Sequence, residues 1–386
     1  MTTDPALVRP GDVIGPVTVG PVAHGGHWVA RLDSYVWFVR HALEGELVTL
    51  RVRDAGARFG RADVAEVLRP SPHRVDAPCP VAGECGGCDF QHVEIGEQRR
   101  LKASVLDEQL RRLAGLGFDA VVEAVDPPAL GWRTRVRYHR TPEGAHGLKA
   151  HGSGRVVPLP EGGCRIAVPA LATPPATVGE DAASADALVG VAPAEGGVHW
   201  GTPRDDTVLR ERAAGRGWSV HANGFWQVHP ASADTLVAAV LDGLRPQPGE
   251  SALDLYCGVG LFAGALTDAG VRVLGVEGSK PAIALARRNV PEAKLVAGSV
   301  ERSLHRLPRR ADLVVLDPPR TGAGRRVMDA VLALEPRAIA YVACDPAALA
   351  RDVATAAASG WGVRSVRAFD LFPMTHHVEA VTILGR

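Results

Sequence analysis

Lysine is almost missing from this chain of 386 residues: Lys102, Lys149, Lys280 and Lys294 are the only four among 43 basic residues, and the other 39 are arginine. Arginine is the better fork for phosphate, but a GC-rich genome produces the same bias, and the abundant alanine and glycine fit that origin equally well. Net charge is lacking too. The 43 basic residues meet 43 acidic ones, so bulk charge carries no argument for a nucleic-acid partner and any such reading must rest on local features. No run of about 18 apolar residues occurs, which argues against a membrane helix. Met1–Pro10 holds Asp4 and Arg9 and no apolar stretch of the kind a secretory leader needs, so the cytosol is the expected compartment.

Against these absences, 22% charged and 46% hydrophobic residues make the composition that of a soluble globular protein. At roughly 150 residues per domain the length accommodates two or three. Residues 12–52 alternate apolar and polar positions in short runs broken by glycine (Val17, Val19; Val36, Phe38; Val48, Leu50, Val52), the period of small half-buried strands and hence of a compact β-barrel. Pro70, Pro72, Pro78 and Pro80 punctuate a cysteine-bearing loop, and an amphipathic helix follows from about Ile95 to Leu116. Much of 168–200, rich in Ala, Pro and Gly, reads as linker or irregular surface.

From about Ser251 apolar runs alternate with helical segments: 252–256, 272–276, 294–297, 312–316, 338–343, 363–368 and 378–384. This is an α/β pattern. The last two runs are nine residues apart, too short for a parallel crossover, so the final strand is expected to be antiparallel. A mostly parallel sheet with one such strand near its end is the class I methyltransferase arrangement, whereas dinucleotide-binding dehydrogenases are typically all parallel.

Three features of this region carry chemistry. In DLYCGVGLFAGAL (254–266), Gly258 and Gly260 lead from a strand into a helix, where the backbone can approach a ligand and the helix N-terminus exposes N–H donors; Glu277 ends the next strand, where a carboxylate can accept from ribose hydroxyls. Gly258, Gly260 and Ala263 also satisfy a dinucleotide fingerprint, so NAD remains open on this motif alone. Asp317 (ADLVVLDPPRTG), Cys344 (AIAYVACDP) and Glu379 (HVEAVTIL) are each expected at the same edge of the sheet, beside the nucleotide turn. A thiol and a carboxylate beside a methyl donor solve a specific problem, since C5 of a pyrimidine becomes nucleophilic only after a thiolate adds to C6, and a base must then remove the C5 proton. Cys257, inside the glycine turn, reads as packing. Elsewhere Cys79, Cys85 and Cys88 form C-x5-C-G-G-C and Cys164 follows 76 positions later, a set suited to an iron–sulfur cluster or a tetrahedral zinc.

DLYCGVG, DPPRTG, VACDP and HVEAVTIL, in this order and spacing, resemble the RNA 5-methyluridine methyltransferase family, over nearly the whole chain. The resemblance implies Cys344 as nucleophile, Glu379 as the base for the C5 proton, and Asp317 as a cofactor-pocket or uracil contact. It also implies that Gln227 of NGFWQVHP lines the pocket, that Tyr256 and Glu277 hold S-adenosyl-L-methionine, and that Ser299 of GSVERS stands near the adenine. Among family members the four cysteines resemble those that bear a [4Fe–4S] cluster, which ranks iron above zinc. Residues 38–52 resemble a TRAM domain, an OB-like barrel of RNA-modifying enzymes. Arg40, Arg51, Arg53, Arg58 and Arg61 are its candidate phosphate contacts, and Trp28, Tyr35, Trp37 and Phe59 its candidate stacking groups, with alternation expected to bury about half of these aromatics. Two departures stand out: Asp345 follows the nucleophile where the family usually has Asn, and Ser299 replaces a frequent Asn or Asp.

The expected architecture is therefore a multi-domain α/β protein. A TRAM-like OB β-barrel occupies 1–70, a central α+β region with the iron–sulfur cluster 71–220, and a Rossmann-like class I methyltransferase domain 221–386; the helix near 95–118 is a candidate to pack on that last domain. The expected activity is methyl transfer from S-adenosyl-L-methionine to C5 of a uridine in rRNA or tRNA, by a monomer with no membrane partner. Its rivals are a non-catalytic RNA-binding or chaperone-like protein on the same fold, an RNA cytosine-C5 methyltransferase, and an NAD enzyme.

Overall fold

The computed structural model describes residues 8–176 and 185–386. Five strands, β1 (Val13–Ala23), β2 (His27–Leu32), β3 (Tyr35–Arg40), β4 (Leu47–Ala55) and β5 (Phe59–Arg69), close into a barrel in the order β1-β2-β3-β5-β4. Period-2 alternation builds it: β4 turns Val48, Leu50 and Val52 inward and leaves Arg51 and Arg53 outside. The same alternation corrects part of the expected RNA face. Trp28 and Trp37 point into the barrel core and are 0% and 2% exposed, so neither can stack on a base. Arg40 is buried as well, facing Asp63 at 3.7 Å. Arg51, Arg53, Arg58 and Arg61 stay exposed, with Tyr35 and Phe59 half-buried.

Helix α1 (Ile95–Ala114) stops at Gly115, whose φ of 70° ends the helix in a left-handed cap. It lies against the C-terminal part of the molecule, where Leu106 and Leu110 enter the core. Lys102, fully buried, donates to Asp370 Oδ1 at 2.6 Å and to the carbonyl of Phe372 at 3.0 Å. A three-residue strand, β6 (Val122–Ala124), comes next in the chain. The central sheet has the order β11-β10-β7-β8-β9, built from β7 (Arg135–Arg140), β8 (His146–Lys149), β9 (Val156–Pro158), β10 (Ala187–Val191) and β11 (His199–Gly201). The stretch 168–200 is thus not all linker. All five residues of β10 are buried and pair antiparallel with β7, Leu188 opposite Tyr138. So short a run, broken by Gly190, has no readable period, and only its partner strand makes it a strand. Residues 177–184 of that stretch lie outside the described residues.

A hairpin of β12 (Val208–Ala213) and β13 (Arg216–His221) precedes α2 (Ser232–Leu244), and its Trp218 and Val220 enter the C-terminal core. There β14 (Ser251–Leu255), β15 (Arg272–Glu277), β16 (Lys294–Ala297), β17 (Leu313–Leu316), β18 (Ala338–Ala343), β19 (Gly362–Asp370) and β20 (Glu379–Gly385) occupy the apolar runs. They alternate with α3 (Leu261–Asp268), α4 (Lys280–Asn289), α5 (Val300–Ser303), α6 (Arg325–Leu332) and α7 (Pro346–Ala358). The order is β16-β15-β14-β17-β18-β20-β19-β6. Strands β14 to β18 run parallel, and β20 is antiparallel to both neighbours, as the short connection predicts. Strand β6 extends the sheet by pairing parallel with β19. Because β20 is reversed, its first residue lies on the edge where β14, β15, β17 and β18 end. Among the described residues no helix is long and apolar enough to cross a membrane.

Candidate active site

The C-terminal edge of the sheet carries two unlike walls around one cavity of about 1200 Å³. The first is backbone-rich. Strand β14 ends in a turn that passes through Tyr256 (φ 67°), Gly258 (φ 57°) and Gly260 (φ 99°) before α3 begins. A side chain at Gly260 would lie 3.0 Å from Val290 Cγ2, so glycine lets α3 pack close to α4. Glu277, at the end of β15, accepts from the Gly258 N–H at 2.9 Å and from the Ser279 N–H at 2.5 Å. Below it Asp254 is buried, accepts from the Ala263 N–H at 2.8 Å, and is pushed up to about 8 by desolvation. Tyr256 donates to Glu301 at 3.2 Å, and Ser299 is the N-cap residue of α5 with no side-chain capping bond. Gln227, Tyr256, Gly258, Glu277 and Ser299 all face the cavity, while Gly260 stands behind its wall. Cys257 packs with Ile283 and Ala286.

Side chains make the second wall. Asp317 follows β17, Cys344 follows β18 and Glu379 opens β20, and all three line the same cavity. Burial raises the Asp317 carboxyl to about 7, and burial together with the neighbouring Asp317 raises Glu379 well above the usual carboxylate range. The Cys344 thiol is pushed up to about 11 by burial, then by Glu379, while Arg320 pulls it down. Burial also lowers His377 to about 3, so its ring is neutral and its Nε2 accepts from Arg320 Nη2 at 3.1 Å. The second wall therefore raises the proton affinity of two carboxyls and a thiol, and Arg320 opposes that shift at Cys344 and Glu379.

Phe225 and Arg320 are among the cavity residues that the sequence did not mark as site members. Phe225 is 76% exposed on the rim, two positions before Gln227. Arg320 was readable as the residue after two prolines, and its approach to His377 was not, because the pair spans 57 positions. A large exposed aromatic beside a pocket glutamine is the signal that could have found Phe225.

The four other cysteines, all free and buried, line a second and much smaller cavity. Cys85 Sγ accepts from the Gly87 N–H at 3.4 Å, and burial raises the Cys85 and Cys88 thiols. Among the described residues no three His, Cys, Asp or Glu side chains are gathered as a metal site.

A TRAM domain model matches residues 11–65, a methyltransferase domain model residues 253–317, and a tRNA (uracil-5-)-methyltransferase model residues 305–386. An uncharacterized RNA methyltransferase of Streptomyces avermitilis is 46% identical, covering 95% of this chain and 97% of that one. The 23S rRNA (uracil(1939)-C(5))-methyltransferase RlmD of Pseudomonas aeruginosa is 30% identical over 95% and 93% of the two chains. This chain belongs to the RNA uracil-C5 methyltransferase family. Its fold agrees with that of the tRNA (uracil-54, C5)-methyltransferase of Pyrococcus abyssi, solved with S-adenosyl-L-homocysteine: TM-score 0.71, 22% identity, covering 96% and 99% of the two chains.

The residue after Cys344, Asp345, has two partners in the structure. Asp345 caps α7 by accepting from the Ala348 N–H at 2.7 Å, a task asparagine performs equally well. Its other oxygen meets His24 Nε2 at 3.0 Å.

Proposed function

We propose that this enzyme transfers a methyl group from S-adenosyl-L-methionine to C5 of a uridine in ribosomal or transfer RNA through a covalent Cys344–C6 adduct. The observation that carries the reading is the convergence of Asp317, Cys344 and Glu379, from three strand ends, on a cavity that also holds the glycine turn. At about 1200 Å³ it exceeds the roughly 300–1,000 Å³ of a site for one small molecule, leaving room for a donor and a base. The donor supplies an electrophilic sulfonium methyl, and Glu277, Tyr256, Gln227 and Ser299 are the residues proposed to hold it. Deprotonated Cys344 adds to C6, and the electron pair moves toward C5 and O4. C5 takes the methyl group as the S–CH3 bond breaks, its electron pair remaining on the sulfur of the departing S-adenosyl-L-homocysteine. Glu379 then removes the C5 proton, the C5–C6 double bond re-forms, and the thiolate leaves. A carboxylate whose burial raises its proton affinity suits that last step. The uridine must be unstacked to expose C6, and Phe225 at the rim offers a face for it. The exposed Arg51, Arg53, Arg58 and Arg61 of the TRAM barrel are proposed to follow RNA phosphates.

For Cys79, Cys85, Cys88 and Cys164 we propose a [4Fe–4S] cluster with a structural role, supported by four free thiols from two distant segments on one cavity and by the Gly87 N–H directed at Cys85. Protein purified without oxygen should be brown and contain iron; stoichiometric zinc without iron would replace the cluster by a zinc site. The activity is tested by incubating the enzyme with methyl-labelled S-adenosyl-L-methionine and separated, unmodified rRNA and tRNA, followed by nucleoside mass spectrometry. Labelled 5-methyluridine in one fraction supports the reading and names the RNA. Labelled 5-methylcytidine, or no label, refutes it.

A further inference from the structure

The barrel reaches the edge that carries Cys344 through its β1–β2 turn. His24 in that turn meets Asp345 at 3.0 Å, and Asp345 directly follows Cys344 and caps the helix after it. Two residues further on, Gly26 (φ 75°) lies against His376: a Cβ there would come within 2.7 Å of His376 Cβ. His376 is held in turn by Asp89, Nδ1 to Oδ2 at 2.6 Å, and the N–H groups of Asp89 and Phe90 donate to the carbonyl of Met374, both at 3.0 Å. The turn is thus clamped between the segment after the nucleophile and the segment leading into Glu379. It forms one side of a separate cavity of about 240 Å³ that shares Arg320, Cys344, His376 and His377 with the large one.

The His24–Asp345 contact is poorly explained as domain glue. Its side chains are 39% and 23% exposed, and ion pairs in such settings add little to stability. Position is a better explanation. Asp345 uses one carboxylate oxygen for the helix cap and the other for His24, so the torsion of the residue beside Cys344 is set from both sides. We infer that His24 is a positioning residue for the methyl-transfer reaction, the TRAM barrel reaching through Asp345 to hold the Cys344 segment in its attacking geometry. The inference rests on the proposal that Cys344 is the nucleophile. An error of about 1 Å in such a placement can cost about 100-fold in rate.

The test uses the full-length enzyme and 5-fluorouridine-substituted rRNA and tRNA transcripts with S-adenosyl-L-methionine. Fluorine at C5 cannot leave as the proton does, so the adduct accumulates and its rate of formation is read at saturating RNA, with RNA affinity measured separately. His24→Ala should slow adduct formation about 10- to 100-fold with RNA affinity within about twofold. Asp345→Ala should do the same, and the double variant should be no slower than the slower single one. His24→Gln and Asp345→Asn, which keep a hydrogen bond and the helix cap, should recover most of the rate. Gly26→Ala, which pushes the turn off His376, should also slow it. A normal rate for His24→Ala at saturating RNA overturns the inference, as do strictly additive losses or a loss confined to RNA affinity. Adduct formation by Cys344→Ala would instead overturn the nucleophile reading itself, whatever His24 does.

Discussion

The two walls of the large cavity share a sheet edge and differ in how they are made. The wall of the glycine turn is tied together by backbone bonds: Glu277 accepts from two backbone N–H groups and Asp254 from a third, although the other Asp254 oxygen is buried without a hydrogen-bond partner among the described residues and its carboxyl is pushed up to about 8. The parts of this wall come from several segments between Gln227 and Glu301, of which the glycine turn is the stretch that local backbone geometry shapes. The opposite wall gathers Asp317, Cys344 and Glu379 from three strand ends and leaves a half-buried carboxyl, a buried carboxyl and a half-buried thiol with raised proton affinities. Backbone bonds thus fix Glu277 on the first wall, whereas the second takes its character from burial of its acidic groups.

The sharpest way to break this contrast is to remove the thiol. Cys344→Ala should reduce methylation to background with S-adenosyl-L-methionine still bound, as calorimetry would show; residual methylation of uridine would transfer the chemistry elsewhere. Next in size, Glu379→Gln should cut turnover by about 10²–10⁴-fold, the range for a lost general base. It should also accumulate enzyme attached to methylated RNA, seen as a labelled, denaturation-resistant band that vanishes in the Cys344→Ala, Glu379→Gln double variant. Normal turnover would remove Glu379 from the role of base.

Proton affinity gives the third test. With the Cys344 thiol near 11, the thiolate fraction grows about tenfold per pH unit below that value. Adduct formation with 5-fluorouridine RNA should therefore rise from pH 7 to 10, and Arg320→Ala, removing the charge that lowers the thiol, should depress the curve. A flat profile would mean that the thiol is already ionised. On the wall of the glycine turn Glu277→Ala should weaken S-adenosyl-L-methionine by about 1.5–3 kcal/mol, the range for hydrogen bonds to a charged group. Unchanged affinity in a folded variant would refute that assignment.

The smallest effect separates the walls by stability. The folded protein holds the Glu379 proton more tightly than the unfolded chain does. Its contribution is therefore present below the unfolded carboxylate value and is lost as pH rises toward the folded one. Glu379→Gln should accordingly stabilise the inactive enzyme by about 0.5–2 kcal/mol at pH 8 and much less at pH 4, read as a shift in Tm. Lower stability at pH 8 would show that the carboxylate is satisfied in the folded state.

Much of the C-terminal half was readable because each candidate site residue sits in a strand-end motif and because a nine-residue connection forces β20 to run backwards. Strand β6 was not readable, since three residues carry no period and the strand exists only beside β19. Barrel alternation was visible, yet the face of Trp28 and Trp37 depends on how the barrel closes. Phe225 and Arg320 stood in the sequence without a sign that one meets the cavity rim and the other His377.

The sequence by itself determined the family, the α/β order of the C-terminal half and the candidates for the reactive side chains, because these depend on local turns and on residues whose chemistry few others can supply. Only the tertiary structure decided which groups share an environment. Burial beside Asp317 raises the proton affinity of Glu379, closure of the barrel buries Trp28 and Trp37, and packing of the β1–β2 turn brings His24 across 321 positions to Asp345. Desolvation and contact are properties of the packed chain, and no stretch of residues encodes them alone.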